Sequence, residues 1–143
     1  MNAADHPELP LWELIQTSHL VARRFTEVFA EAELTPTQFG VLAALADDDD
    51  LSPADLARMV LVRPQSMRQL VTSLISRGLV HQPGAGGRGK RSRLHLTDAG
   101  RDALRRALPA VYAINAPAAI GLDAADAAAL IRHLRAVRSS LSR

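Results

Sequence analysis

The spacing of apolar residues changes several times along the chain, and each change marks an element. Over residues 8–32, Leu11, Leu14, Ile15, Val21, Phe25, Val28 and Phe29 fall close to a 3.6-residue period, which predicts one long amphipathic helix. "LTPTQF" then opens a second helix. Thr35 is placed to cap its free amides, Pro36 suits the first helical position, and Gln38 stands where a capping-box partner is needed. Leu34 and Phe39 have the spacing of a hydrophobic staple, and the acidic run Asp47–Asp50 should end this helix near Ala46. "LSPADL" repeats the grammar with Ser52 as cap, Pro53 first, Asp55 third, and Leu51 with Leu56 as the staple, so a short third helix is expected from Pro53 to about Val60. After the break at "VRP", a fourth helix is expected from Pro64 to Arg77, stopped by Gly78.

Past Gly78 the period falls to two. "LVHQ" reads as a strand and Gly84, Gly86, Gly87 and Gly89 as a loop. "RSRLHL" reads as a second strand, with Ser92, Leu94 and Leu96 on one face and Arg91, Arg93 and His95 on the other. Thr97 should cap a fifth helix that continues past Pro109 with a kink there, and Asp123 should cap a sixth. In the sixth helix Ala127, Leu130, Leu134, Val137 and Leu141 advance alternately by three and four, a short coiled-coil-like seam. The order is four helices, a hairpin and two helices, a mainly α fold in one chain, 1–143, with no repeat and no interdomain linker.

Composition narrows the function classes. The 143 residues are 48% hydrophobic, enough for one core. There is no cysteine, which excludes disulfides, thiolate metal sites and a cysteine redox switch. "MNAADHPELP" lacks the basic start of a signal peptide, and no apolar run approaches the ~20 residues that span a bilayer. A cytoplasmic protein with no membrane partner is expected. The net charge of +2 conceals an asymmetry: residues 1–62 hold three basic and eleven acidic side chains, residues 63–106 ten basic and two acidic. A basic block inside a folded domain points to a polyanionic partner.

Within that block, "GAGGRGK" fits the start of a nucleotide P-loop, but the chemistry stops there. Arg91 replaces the hydroxyl that holds magnesium, and an alternating strand follows Lys90 where a helix is required. A cationic hairpin tip carrying Arg88, Lys90 and Arg91, with Arg93 and Arg101 beside it, fits the residues better. The preceding helices have helix-turn-helix grammar. On the second of them Met67, Leu70, Val71, Leu74 and Ile75 form an apolar face, and Gln65, Arg68, Gln69, Thr72 and Ser76 lie opposite. Glutamine and arginine near a helix N-terminus are the side chains that read adenine and guanine edges in the major groove, and the helix N-terminus itself favours a phosphate. No nucleophile elbow frames a serine, the five histidines show no H-x-x-x-H spacing, and Asp47–Asp50 lacks the glycine and distal glutamate of a calcium loop. Neither an enzyme, a cofactor nor a metal site is expected. RNA or single-strand binding favours stacking aromatics, and residues 63–106 have none.

"LTPTQFGVLAAL", "LSPADLA", "QSMRQLVTSLISRGLV" and "LHLTDAGR" together resemble the successive blocks of MarR-type winged helix-turn-helix transcription regulators, in order over about residues 10–140. The resemblance implies a homodimer joined by its first and last helices (about 8–32 and 98–141) around a DNA-binding region at about 35–97. It implies a recognition helix in the major groove of a pseudo-palindromic operator, and a wing cation in the minor groove. The DNA-facing set is then Ser52, Arg63, Gln65, Ser66, Arg68, Gln69 and Thr72, with Arg88, Lys90 and Arg91 of the wing. Family wings carry an acid before two basic residues; here the positions read Arg88, Gly89 and Lys90, so either insertion is weaker or Arg88 or Arg91 supplies the contact. Many members are repressors released by a small aromatic or phenolic acid. Trp12, His19, Arg23, Phe39 and Tyr112 lie on the helices that flank the family's effector pocket, although core packing accounts for each equally well. The alternative reading is a winged-helix module that binds protein or RNA without an operator.

Overall fold

Proline at the first helical position, with a hydroxyl residue before it, sets the register of the second and third helices. In the computed structural model, which describes residues 8–83 and 93–143, Thr35 and Ser52 each close a complete capping box, with Gln38 and Asp55 respectively. The chain divides into two units, Met1–Ala107 and Leu108–Arg143.

The first unit holds α1 (Pro10–Ala30), α2 (Pro36–Asp47), α3 (Pro53–Met59), α4 (Pro64–Ser76), β1 (Val80–His81), β2 (His95–Leu96) and the start of α5 (Asp98–Asn115). Its core comes from every element. Val41, Leu42, Leu56, Met67, Leu74 and Leu94 are fully buried, with Phe29 and Val80 nearly so. Phe29 is the aromatic centre, stacked on Phe25 at 5.6 Å and on Phe39 at 4.6 Å between ring centroids. Three helix ends are locked the same way. The amides of Leu34, Val62 and Leu79 reach back to the carbonyls of Phe29, Ala57 and Leu74, with the residue before each amide left-handed: Glu33 (φ 55°), Leu61 (φ 57°) and Gly78 (φ 72°).

The strands are shorter than the alternating pattern predicts, because their flanks bond elsewhere. Leu79 spends its amide on the end of α4, and its carbonyl accepts from the Thr97 amide at 3.2 Å. The Leu94 amide donates to Leu51, before α3, at 3.2 Å. Among the described residues, Val80↔Leu96 and His81↔His95 form the antiparallel ladder. The expected alternation holds where it is described: Leu94 and Leu96 are buried and Arg93 is exposed.

The "LTDAGR" block welds the hairpin to α5. The Thr97 hydroxyl donates to the Gly78 carbonyl at 2.6 Å and accepts from the Gly100 amide at 3.0 Å. Gly100 is obligatory for contact rather than for backbone angle, since a Cβ there would lie 2.1 Å from the Leu79 carbonyl oxygen. The second unit comprises the rest of α5, a 3₁₀ turn at Pro117–Ile120 and α6 (Ala124–Leu141). Asp123 caps α6 as expected, accepting from the Asp126 amide at 2.7 Å. The helix α5 runs unbroken through Pro109, where a kink is predicted. The 3₁₀ turn is absent from the pattern reading, although Pro117 at its start and Gly121 (φ 74°) at its end are ordinary signals for one.

Candidate nucleic-acid interface

The start of α3 is held by polar bonds within the turn. Asp55 accepts from the Ser52 amide at 2.9 Å and from the Ser52 hydroxyl at 2.7 Å, and the hydroxyl accepts from the Asp55 amide at 3.1 Å. The Ser52 amide holds the Asp55 carboxyl below its ordinary value first of all; the Ser52 hydroxyl adds to this, and the charges of Arg58 and Arg93 contribute less. Ser52 is 3% exposed. Ser52, expected among the DNA-facing residues, is thus placed in the cap, with its hydroxyl bonded at the helix start.

The turn from α3 passes through left-handed Leu61 to Arg63, which precedes α4. On α4 the two faces separate as the sequence predicts for most positions. Met67, Val71 and Leu74 are buried, Leu70 is half-buried, and Ile75 is exposed at 37%. Arg63, Gln65, Ser66, Arg68, Gln69 and Thr72 are all exposed. The Thr72 hydroxyl donates to the Arg68 carbonyl at 2.9 Å, which leaves it an acceptor toward solvent. No acid shares the helix, and its free amides add partial positive charge at the Pro64 end. Such a surface can hydrogen-bond base edges and attract phosphate.

Arg93 marks the base of the hairpin. Its guanidinium pairs with the Asp50 carboxylate at 2.9 Å and also donates to the Asp50 carbonyl. Asp50, expected only as part of a solvated helix-end loop, thus ties that loop to the hairpin. Nothing in local spacing couples two residues so far apart in the chain; the signal is the strand alternation that turns Arg93 outward. Arg101 donates to the Leu96 carbonyl at 3.1 Å. The wing residues Arg88, Lys90 and Arg91 and the glycine loop lie outside the described residues.

The expected effector residues lie on three helices, α1, α2 and α5. Trp12, His19 and Arg23 are exposed along α1 at intervals of seven and four, so they share a face. Phe39 is half-buried in the stack on Phe29, a core role. Tyr112, 68% exposed, belongs to the second unit. Among the described residues no helix is long and apolar enough to cross a membrane.

Residues 32–91 match the MarR family model. A MarR family protein of Mycobacterium tuberculosis, solved in complex with salicylic acid, is 28% identical over 94% of this chain and 98% of its own, with a TM-score of 0.72. The structure of that M. tuberculosis protein in complex with DNA aligns at 25% identity over 92% and 98%, with a TM-score of 0.74. Bordetella bronchiseptica BpsR, whose DNA binding is regulated by 6-hydroxynicotinic acid, has the same fold at 23% identity over 92% and 94%, with a TM-score of 0.81. Comparison with curated proteins gives no match.

Proposed function

We propose that this chain is a MarR-type transcription regulator that binds duplex DNA in a sequence-specific way, as a homodimer and as a ligand-responsive repressor in the cytoplasm, and that it is not an enzyme. The observation that carries the reading is the open face of α4, where Gln65, Arg68, Gln69 and Thr72 are exposed opposite buried Met67, Val71 and Leu74. A helix so seated can enter a major groove without losing core. Arg63, Gln65, Ser66, Arg68, Gln69 and Thr72 form the groove-facing set, and Arg88, Lys90 and Arg91 add cations from the wing. The DNA-binding region is about 35–97. The terminal segments, about 8–32 and 98–141, form the dimer; the apolar side chains exposed on α1 and α6, Leu11, Ile15, Leu130 and Leu134 among them, support this. Two copies should span half-sites about one helical turn apart. The effector is a small aromatic acid, the ligand class of the salicylate and hydroxynicotinate relatives. Trp12, His19 and Arg23 offer it a cation beside aromatic rings.

Selection of bound duplexes from a random pool tests the reading directly and should return a pseudo-palindrome. With that operator, Arg68→Ala should cost about 1–3 kcal/mol and relax preference at one base pair per half-site. Lys90→Ala should weaken all duplexes alike and reduce the salt slope by about 1 for each phosphate that is no longer neutralised. Equal losses for operator and random DNA on Arg68→Ala would remove its base-reading role.

A further inference from the structure

We propose that His81 and His95 form a two-histidine site for a divalent transition-metal ion at the base of the hairpin. The two residues are direct partners across the antiparallel ladder. The neighbouring pair, Val80 and Leu96, is 2% and 6% exposed and faces the core. Successive strand residues alternate faces, so both imidazoles stand on the outer face, His81 exposed and His95 half-exposed. Directly opposed residues have Cβ atoms about 4.5–5.5 Å apart. Two rings from such positions can meet one ion at metal–nitrogen distances of about 2.0–2.1 Å. The hydrogen bonds that Arg93, Thr97, Gly100 and Arg101 make around the hairpin leave both rings out.

The donor set selects the ion. Neutral imidazole suits copper, nickel and zinc rather than calcium or magnesium. Among the described residues no group of three or more histidine, cysteine or acidic side chains gathers, so the protein supplies two donors and water completes the coordination. Arg93 lies on the same outer face, two residues from His95, and a free guanidinium there would repel a cation. The Asp50 carboxylate at 2.9 Å offsets that charge. Histidine spacing along the chain gives no metal signal, because the pair exists only through the strand register. An ion bound there ties β1 to β2 and favours the folded hairpin, since the unfolded chain does not hold the two rings together.

Copper(II) titrated into the full chain by calorimetry tests the site, without reference to DNA. One equivalent per chain is expected. His81→Ala and His95→Ala should each weaken binding roughly tenfold or more, whereas His6→Ala and His133→Ala leave it unchanged. Acid should release the ion, because a protonated ring cannot bind it. Should either hairpin variant fail to fold, the wild-type chain still decides: substoichiometric copper(II) should broaden the His81 and His95 imidazole resonances before those of other histidines. Binding that survives both hairpin substitutions, broadening centred on other histidines, or no binding at all overturns the proposal.

Discussion

In the first unit Leu42, Leu56, Met67 and Leu74 have no exposed surface, while in α6 of the second Leu130 and Leu134 are 40% and 39% exposed and Leu141 is 66% exposed. Both sets come from equally regular apolar patterns. The difference is cover. Elements α2, α3, α4 and the hairpin supply apolar faces to one another, and no residue of α6 is buried within the chain. Periodicity states which side chains favour burial; it does not state what buries them.

Two alanine substitutions give the largest contrast. In the first unit Gly100→Ala would drive a Cβ to 2.1 Å from the Leu79 carbonyl oxygen and 3.1 Å from Leu96 Cδ2. Backbone cannot yield as a flexible side chain can, so the cost should be about 3 kcal/mol or more. Gly121→Ala in the second unit meets nothing within 4 Å, and only its φ of 74° opposes a side chain. That cost should be about 1 kcal/mol. Urea denaturation of both variants checks the pair, and similar losses would mean that the close seat of α5 on Leu79 is wrong.

Leu134→Arg addresses cover directly. Leu134 is already 39% exposed, so the substitution should barely change the fold of an isolated chain. In the proposed dimer it would bury an unpaired charge and should weaken association by about 2 kcal/mol or more. Sedimentation across a concentration series reads the change. An unchanged dimer would remove the α6 seam from the interface.

Much of the fold is legible in local chemistry. Capping locates the starts of α2 and α3 because a proline, its preceding hydroxyl and its third-position partner are neighbours in the chain. The faces of α4 follow from the 3.6-residue period, and the outward turn of Arg93 from the period of two. What stays hidden is non-local or already used. Ser52 reads equally as a cap or a contact until its burial is known. Asp50 and Arg93 meet only through the fold, as do His81 and His95. The strands shrink because Leu79 and Leu94 bond outside the ladder, which no alternation encodes.

Among the exposed apolar residues of the first unit, Leu61 offers a smaller effect of opposite sign. Leu61 is 72% exposed and left-handed, with φ 57°. Its side chain adds little packing, while its Cβ crowds the backbone. Leu61→Gly should therefore stabilise the chain by about 0.5–1 kcal/mol, after the greater freedom of glycine in the unfolded chain is counted. A loss of stability instead would show that Leu61 is covered in solution.

The smallest effect concerns charge at the start of α3. The Ser52 amide and hydroxyl, together with Arg58 and Arg93, stabilise the ionised Asp55 carboxylate, so its folded value lies below the ordinary one. A lowered folded value means that the unfolded chain binds the proton more readily. The contribution is complete above the ordinary carboxylate range, about pH 4, and is lost as the pH falls through the lower folded value. Asp55→Asn retains an acceptor for the Ser52 amide but cannot titrate and attracts neither arginine. It should be less stable than wild type at neutral pH, and its denaturation midpoint should decline less between about pH 5 and pH 2. The remaining acids titrate in both proteins, so the difference between the two curves isolates Asp55. Parallel curves over that window would mean that the α3 cap gains nothing from the charge, leaving its hydrogen bonds alone to hold the first turn of the helix-turn-helix.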